Sequence, residues 1–158
     1  ILSLYIYCYQ HKISFLRLAD SICIAMPIGL GLVRIGNFMN GELFGRPTDG
    51  TWGFIFPTDP YGFTRHPSQL YEAFFEGLFL FILLMFVNAK NNKHGVISGT
   101  FLLAYGAIRF FVEYFRQPDS HMGFVALQLS MGQLLSIPMA IIGLLLLMKS
   151  LKKNEAIS

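Results

Sequence analysis

Apolar and polar residues follow one another along this chain in long blocks. Apolar runs occur at roughly 13–33, 69–87, 96–115 and 128–148, with polar or irregular segments between them. A helix rises about 1.5 Å per residue and a bilayer core is about 30 Å thick, so each run is close to the length of one membrane crossing. Ile1–Tyr9 is apolar and aromatic without a basic flank, and reads as the exit end of a helix, not as a signal peptide. The pattern predicts an all-α fold, a polytopic transmembrane helical bundle. It has about four spans plus the end of a preceding helix, in one membrane domain over residues 1–158. A start inside a helix suggests a chain truncated at its N-terminus. Gly29, Gly31, Gly77, Gly99, Gly106, Gly132 and Gly143 suit close helix packing in lipid, and Pro27 and Pro138 are candidate kinks.

The blocks are interrupted most strongly at 36–68, a stretch rich in Gly, Pro, Asn and aromatics with no helical period. A loop this long is usually functional or disordered, and its aromatic content argues against disorder. Trp52, Phe54, Phe56, Tyr61 and Phe63 suit the lipid–water interface. Charge sets the orientation. His11, Lys12 and Arg17 precede the first run, Lys90 and Lys93 separate the second from the third, and Lys149, Lys152 and Lys153 follow the fourth. Alternating spans bring all three groups to one face, which the positive-inside rule makes cytoplasmic. The loops 36–68 and 117–127 then face outward.

Composition agrees with a bilayer as solvent. The chain is 54% hydrophobic and 13% charged, against about 25% charged in a soluble domain. The net charge of +3 resides mostly in loops and tail, so it signals topology and not nucleic-acid binding. Cys8 and Cys23 lie in or beside apolar runs, match no metal spacing, and read as buried hydrophobes. No repeat or low-complexity tract is present.

Against this background two arginines stand out. Arg34 closes the first apolar run and Arg109 sits inside the third. A cation at membrane depth costs at least ~2.5–3.5 kcal/mol, so such a residue marks a functional site by default. Arg34 opens a dense polar segment with Asn37, Asn40, Glu42, Gly45 and Arg46. Arginine forks match phosphate oxygens, and the two asparagines suit hydroxyl or ester groups. The plainer reading is a tight polar turn with Glu42 paired to an arginine. The glycine spacing matches no nucleotide-binding loop. A second group, His66, Gln69, Tyr71 and Glu72, opens the next run, with Gln69, Glu72 and Glu76 on one helix face. His66 is either a helix-start cap or an acid–base group. In the third group Tyr105, Arg109, Glu113 and Arg116 form one stripe. An Arg109–Glu113 pair would pin helices and leave Arg116 for an outer-leaflet head group. All three groups converge on the outer half of the membrane, which suggests a pocket for an anionic phospholipid.

The run RIGNFMNGELFGR at 34–46, with HPSQLYE at 66–72 and RFFVEYFRQPD at 109–119, closely resembles the prolipoprotein diacylglyceryl transferase family. The resemblance implies transfer of diacylglycerol from phosphatidylglycerol to the lipobox Cys thiol of a prolipoprotein signal peptide, with release of glycerol phosphate. It also implies a bacterial cytoplasmic membrane and an active site toward the outer leaflet. By motif, Arg34, Asn37 and Gly45 match signature residues of the family, Arg109 its later arginine, Glu113 and Arg116 the same polar stripe, and His66 a histidine near the site. Val33 stands where many members have Gly, and members carry an N-terminal His-Gly-Gly segment and an upstream Tyr that this chain lacks.

The expected chemistry is alkyl transfer from lipid to thiolate. Arg34 and Arg109, with Arg116 as a third candidate, would stabilise charge developing on the departing phosphate. His66 or Glu42 could be the base, with the upstream His of other family members an equal or better candidate, and Asn37 and Asn40 would orient the glycerol. Asn40, Gly45, Arg46, Gln69, Tyr71, Glu72, Glu113 and Arg116 form the expected substrate-binding set. Neither metal nor cofactor is expected. The competing class is a non-catalytic scaffold for anionic lipid, or a transporter half, using the same arginines.

Overall fold

The computed structural model describes residues 2–49, 51–117, 124–126 and 129–152. Lys153, Pro118, Asp119, most of the loop 117–127 and residue 128 of the fourth run lie outside the described residues. The described chain forms helix α1 (Leu2–Gln10), helix α2 (Phe15–Met39) and then a long irregular excursion. That excursion carries the antiparallel pair β1 (Phe54–Ile55) and β2 (Thr64–Arg65). Helix α3 (Ser68–Lys90), helix α4 (Val96–Val112), the pair β3 (Phe124–Ala126) and β4 (Leu129–Ser130), and helix α5 (Met131–Lys152) complete it. Helices α2, α3 and α5 are long and apolar enough to cross a membrane, while α4, at 17 residues, is shorter.

Burial is inverted relative to a water-soluble bundle. Leu32, Val33, Leu78, Ile82, Phe111 and Leu135 are exposed, whereas Asp20, Glu72, Glu76, Glu113, Gln133 and Ser136 are buried. Lipid accepts the apolar faces and excludes the polar groups, which must find partners inside the bundle. The apolar core is small, built on Leu80, Leu84, Ile97 and Phe101, with half-buried Cys23 against it. Cys8 is buried in α1. Cys8 thus behaves as the sequence suggests, while Cys23 is only partly buried.

Small residues let the helices meet. Cβ atoms built on Gly31 and Gly77 would lie 3.2 and 2.8 Å from the opposite glycine's Cα, so α2 and α3 cross backbone to backbone. Gly99 and Gly106 of α4 meet α5 in the same way, against Gly143 and Ser136. A Cβ on Gly143 would overlap the Leu103 amide nitrogen, on rigid backbone. Gly143→Val is therefore expected to loosen the α4–α5 pair and lower unfolding free energy in detergent by about 1–3 kcal/mol. Reversible denaturation in mixed micelles would measure this, and an unchanged midpoint would contradict the packing.

Several boundaries differ from the expected ones. Helix α2 runs on to Met39, where Gly41 at φ +67° ends it, so Arg34 and Asn37 are helical and the loop starts later than residue 36. The helix also continues through Pro27. Helix α4 stops at Val112, short of residue 115, because Tyr114 and Phe115 bond back three residues and turn the chain aside. Arg116 consequently leaves the helical stripe and forms a bridge with Gly45. Phe56, expected at the interface, is buried among Phe38, Phe44 and Phe54, while Trp52, Tyr61 and Phe63 are exposed.

Helix α3 contains a wide π-helical stretch, Ala73–Phe79. Such turns are rare and recur at functional sites. This one holds both Gly77, at the crossing with α2, and the fully buried Glu76.

Candidate active site

Where α2 finishes and α3 begins, two arginines on different helices share three glutamates. Arg34 Nε lies 2.5 Å from Glu72 Oε2, and its Nη2 3.8 Å from Glu76 Oε2. Arg109 Nη1 lies 3.3 Å from both Glu72 Oε1 and Glu76 Oε1, and Nη2 3.1 Å from Glu113 Oε2. The Glu72 and Glu76 side chains are 3% and 0% exposed, so α3 supplies a dry carboxylate pair that both arginines bracket. Glu113 is held from its other side by the Ser130 hydroxyl at 2.9 Å, and Gln133 caps Ser130 in turn. Gly132 leaves room for that carboxylate, since a Cβ there would lie 2.8 Å from Glu113 Oε2.

The expected Arg109–Glu113 pair is thus present, but neither arginine is a free cation. Two guanidiniums meet three carboxylates, which fixes both forks in place. Among the described residues no carboxylate lies against Arg34 Nη1. Glu76 Oε2 and Gln69 Oε1 are buried acceptors that receive no hydrogen bond among those residues.

The excursion after α2 is pinned to this cluster. Gln69 Nε2 donates to the Glu42 carbonyl at 2.6 Å, and the Ser68 hydroxyl to the Leu43 carbonyl at 3.2 Å. Gly45 donates its amide to the His66 carbonyl, and Arg46 donates its amide to the Phe115 carbonyl and Nε to the Arg116 carbonyl. A side chain at Gly45 would meet the Phe115 oxygen at 2.5 Å, which is why a glycine stands there. Neither Arg46 nor Arg116 stands without a partner, so Arg116 is not the loose head-group cation expected of it. Asn37 is half-buried; Asn40 and Glu42 are exposed at the end of α2. His66 Nδ1 lies 3.3 Å from the Tyr71 hydroxyl, which accepts the Trp52 indole N–H at 2.8 Å, and Phe115 packs edge-on against both His66 and Tyr71. His66 therefore belongs to an aromatic corner beside the ionic cluster and makes none of its ion pairs.

A second ion pair stiffens the loop and was invisible in the sequence. Buried Arg65 contacts Asp59 Oδ2 through Nε at 2.7 Å, donates to Gln117 Oε1 at 2.7 Å, and lies over the Phe44 ring. The Arg65 guanidinium, helped by the Tyr61 and Phe63 amides, holds the Asp59 carboxyl below the usual carboxylate range. A carboxyl whose pKa falls on folding stabilises the folded loop above its unfolded value of ~3.9, and that support is lost as pH falls through the lower folded value. The loop is expected to resist pepsin near pH ~4 and to open only in stronger acid. Asp59→Asn should open it at both; equal resistance of the two proteins would contradict the assignment.

Beside the cluster, Tyr71, Phe75 and Phe79 of α3 face Ile108, Phe111 and Phe115 across a groove of about 570 Å³ with almost wholly apolar walls. Its apolar walls suit hydrocarbon chains, and Tyr71 in its lining is next to Glu72 in sequence. Among the described residues no group of three His, Cys, Asp or Glu side chains is placed to hold a metal ion.

The family model described as prolipoprotein diacylglyceryl transferase matches residues 1–149. The chain belongs to this family. It is 50% identical over 146 residues to the phosphatidylglycerol–prolipoprotein diacylglyceryl transferase of Photobacterium profundum, covering 92% of this chain and 54% of that one. It is 55% identical over 135 residues to the protein of the same name from Geobacter sulfurreducens, covering 85% and 52%. A Rickettsia bellii protein of that name is 48% identical over 153 residues, covering 95% and 58%. The chain spans about half the length of these relatives of the diacylglyceryl transferase family. Sequence reading missed Ser130, Gln133, Asp59 and Arg65. Each acts through a partner far along the chain or across an irregular turn, and none sits in a motif.

Proposed function

We propose that this chain carries the phosphate-binding part of a site that transfers diacylglycerol from phosphatidylglycerol to the lipobox cysteine thiol of bacterial prolipoproteins, the first step of their maturation. The observation that carries the reading is the convergence of Arg34 and Arg109 on one carboxylate pair, next to an apolar groove of about 570 Å³. The names of the relatives supply the substrate pair. The lipid's acyl chains lie along the groove and its phosphate meets the arginine forks. In the reaction the thiolate sulfur bonds to the terminal glycerol carbon of the diacylglycerol. The carbon–oxygen bond to phosphate breaks, its electron pair leaves with the phosphate, and glycerol phosphate departs. The thiol proton passes to a base.

Arg34 and Arg109 are assigned to the developing phosphate charge, because prealigned cations in a dry site act without reorganising. Asn37 is assigned to orienting the lipid, and His66 or Glu42 to accepting the proton. Asn40, Gly45, Arg46, Gln69, Tyr71, Glu72, Glu113 and Arg116 form the wall around the substrate, Glu72 and Glu113 by aiming the arginines. Glu76 and Gln69, as buried acceptors, suit the glycerol hydroxyls of phosphatidylglycerol. Lys90, Lys149 and Lys152 lie in the last turns of α3 and α5, at the opposite ends from this cluster, and Lys93 lies in the turn that follows α3. The site accordingly faces the outer leaflet of the cytoplasmic membrane.

The test is a transfer assay in phosphatidylglycerol vesicles. The chain is reconstituted alone and completed with the remainder of the Photobacterium profundum relative, a lipobox peptide is added, and its intact mass is read. A diacylglyceryl adduct from either preparation, absent when the peptide's Cys is Ser, supports the proposal. No adduct from either correctly inserted protein overturns it and leaves an anionic-lipid scaffold.

A further inference from the structure

At the lysine-bearing end of the bundle a polar cleft of about 360 Å³ opens between the start of α2 and the α3–α4 turn. Arg17 lines it from α2, Asn88 from the end of α3, and Asn91, Asn92, Lys93 and His94 from the turn, over a floor of Ile24 and Ile97. The one acid in this wall, Asp20, is already engaged. Its Oδ2 accepts the Gly95 amide at 2.6 Å, and its Oδ1 accepts the Ser98 amide at 2.8 Å and the Ser98 hydroxyl at 2.6 Å. Asp20 thus answers the positive end of α4, and its charge offsets at most one of the two cations in the wall. Arg17 makes no ion pair among the described residues. Among the described residues Lys93 Nζ bonds a carbonyl, that of Leu151 at 3.5 Å, which ties the turn to the end of α5. The cleft therefore gathers two cations against a single carboxylate whose oxygens are already hydrogen-bonded, with an imidazole and three side-chain amides as further donors for a phosphate group.

We propose that this cleft binds a phosphate-bearing anion, with Arg17 and Lys93 holding its charge and the asparagines its remaining oxygens. The ligand is either a phospholipid head group of the adjacent leaflet or free phosphate. The apolar floor of Ile24 and Ile97 and the cleft's place two residues into a spanning helix make it deep enough for a lipid glycerol. It is separate from the Arg34–Glu76 cluster, which lies at the other ends of α2 and α3.

The test uses the full chain in phosphatidylcholine vesicles doped with photoactivatable phosphatidic acid, and maps the crosslinked peptides by mass spectrometry. Crosslinks are expected within residues 15–24 and 88–97. At subsaturating lipid, Arg17→Ala/Lys93→Ala should lower their yield about thirtyfold, the loss expected for two surface cations. Asn92→Glu, an exposed position, should do the same by charge alone, and carries the test should the double variant fail to fold. Loss of the crosslinks on adding inorganic phosphate would identify free phosphate as a ligand; persistence would identify the lipid head group. Equal crosslinking at these residues in the parent and both variants, or none in the parent with no phosphate-dependent shift of the His94 imidazole resonances, would overturn the proposal.

Discussion

In Arg109→Ala, the detergent-solubilised protein is expected to unfold about 3–5 kcal/mol more easily than the parent chain. Among the described residues, Arg109 is the only group that contacts Glu72, Glu76 and Glu113 together. Its removal leaves three carboxylates to Arg34 alone, which reaches Glu72 and Glu76 but makes no ion pair with Glu113 among the described residues, in a site where the side chains of Glu72 and Glu76 are at most 3% exposed. The larger part of the effect is the cost of a buried charge stripped of its partner, not the worth of the original pair. That distinction is measurable. Glu76→Gln placed on top of Arg109→Ala should recover part of the loss, because one of the orphaned charges is gone. A loss in Arg109→Ala no larger than that of a surface substitution, about 0.5 kcal/mol, would mean that the cluster does not hold the helices together.

The second large effect is on chemistry. Arg34→Ala, in the completed protein, is expected to lower diacylglyceryl transfer by about 10²–10³-fold, the usual loss when one prealigned donor to developing charge is removed. Its effect on folding should be smaller than that of Arg109→Ala, since Arg109 still faces Glu72 and Glu76. Arg34→Lys should recover folding but little transfer. A single ammonium cannot reproduce contacts made through Nε to Glu72 and through Nη2 to Glu76 while presenting Nη1 to a phosphate. Transfer at the parent rate by folded Arg34→Ala would remove Arg34 from the chemistry and move the phosphate to Arg109 alone.

The carboxylates give these arginines a role that the bare motif did not convey. On the sequence, Arg34 and Arg109 read as cations waiting for an anion. In the folded chain they are already paired, and the pairing makes them usable. An unpaired guanidinium in the bilayer would recruit water or swing to the interface, whereas one anchored by Glu72 keeps its fork fixed against α3. The π-helical stretch of α3 contributes directly, because it carries Glu76 and Gly77 on the same wide turn. Gly77 brings α2, and with it Arg34, close enough for both arginines to reach the same two carboxylates.

Much of this was legible in the residue order. The apolar blocks marked where the apolar helices α2, α3 and α5 lie, because the bilayer imposes length and composition on each span separately, although α2 runs on past its block to Met39. The depth of Arg34 and Arg109 and the spacing of Glu72 and Glu76 marked the site, since charge in an apolar run is costly wherever the run packs. The sequence by itself determined a membrane bundle of this family, and the end of it where polar chemistry gathers. Only the tertiary structure decided which charges meet. Arg34 with Glu72, Arg109 with both α3 glutamates, Arg65 with Asp59 and Gln117, and Asp20 with the start of α4 are contacts across distant or irregular segments. No periodicity records them. They follow from glycine-lined helix crossings and from backbone turns such as the one at Val112 that carries Arg116 to Gly45. A hydropathy pattern reports how each segment meets lipid, while the pairing of buried charges depends on the ångström-scale approach of segments to one another.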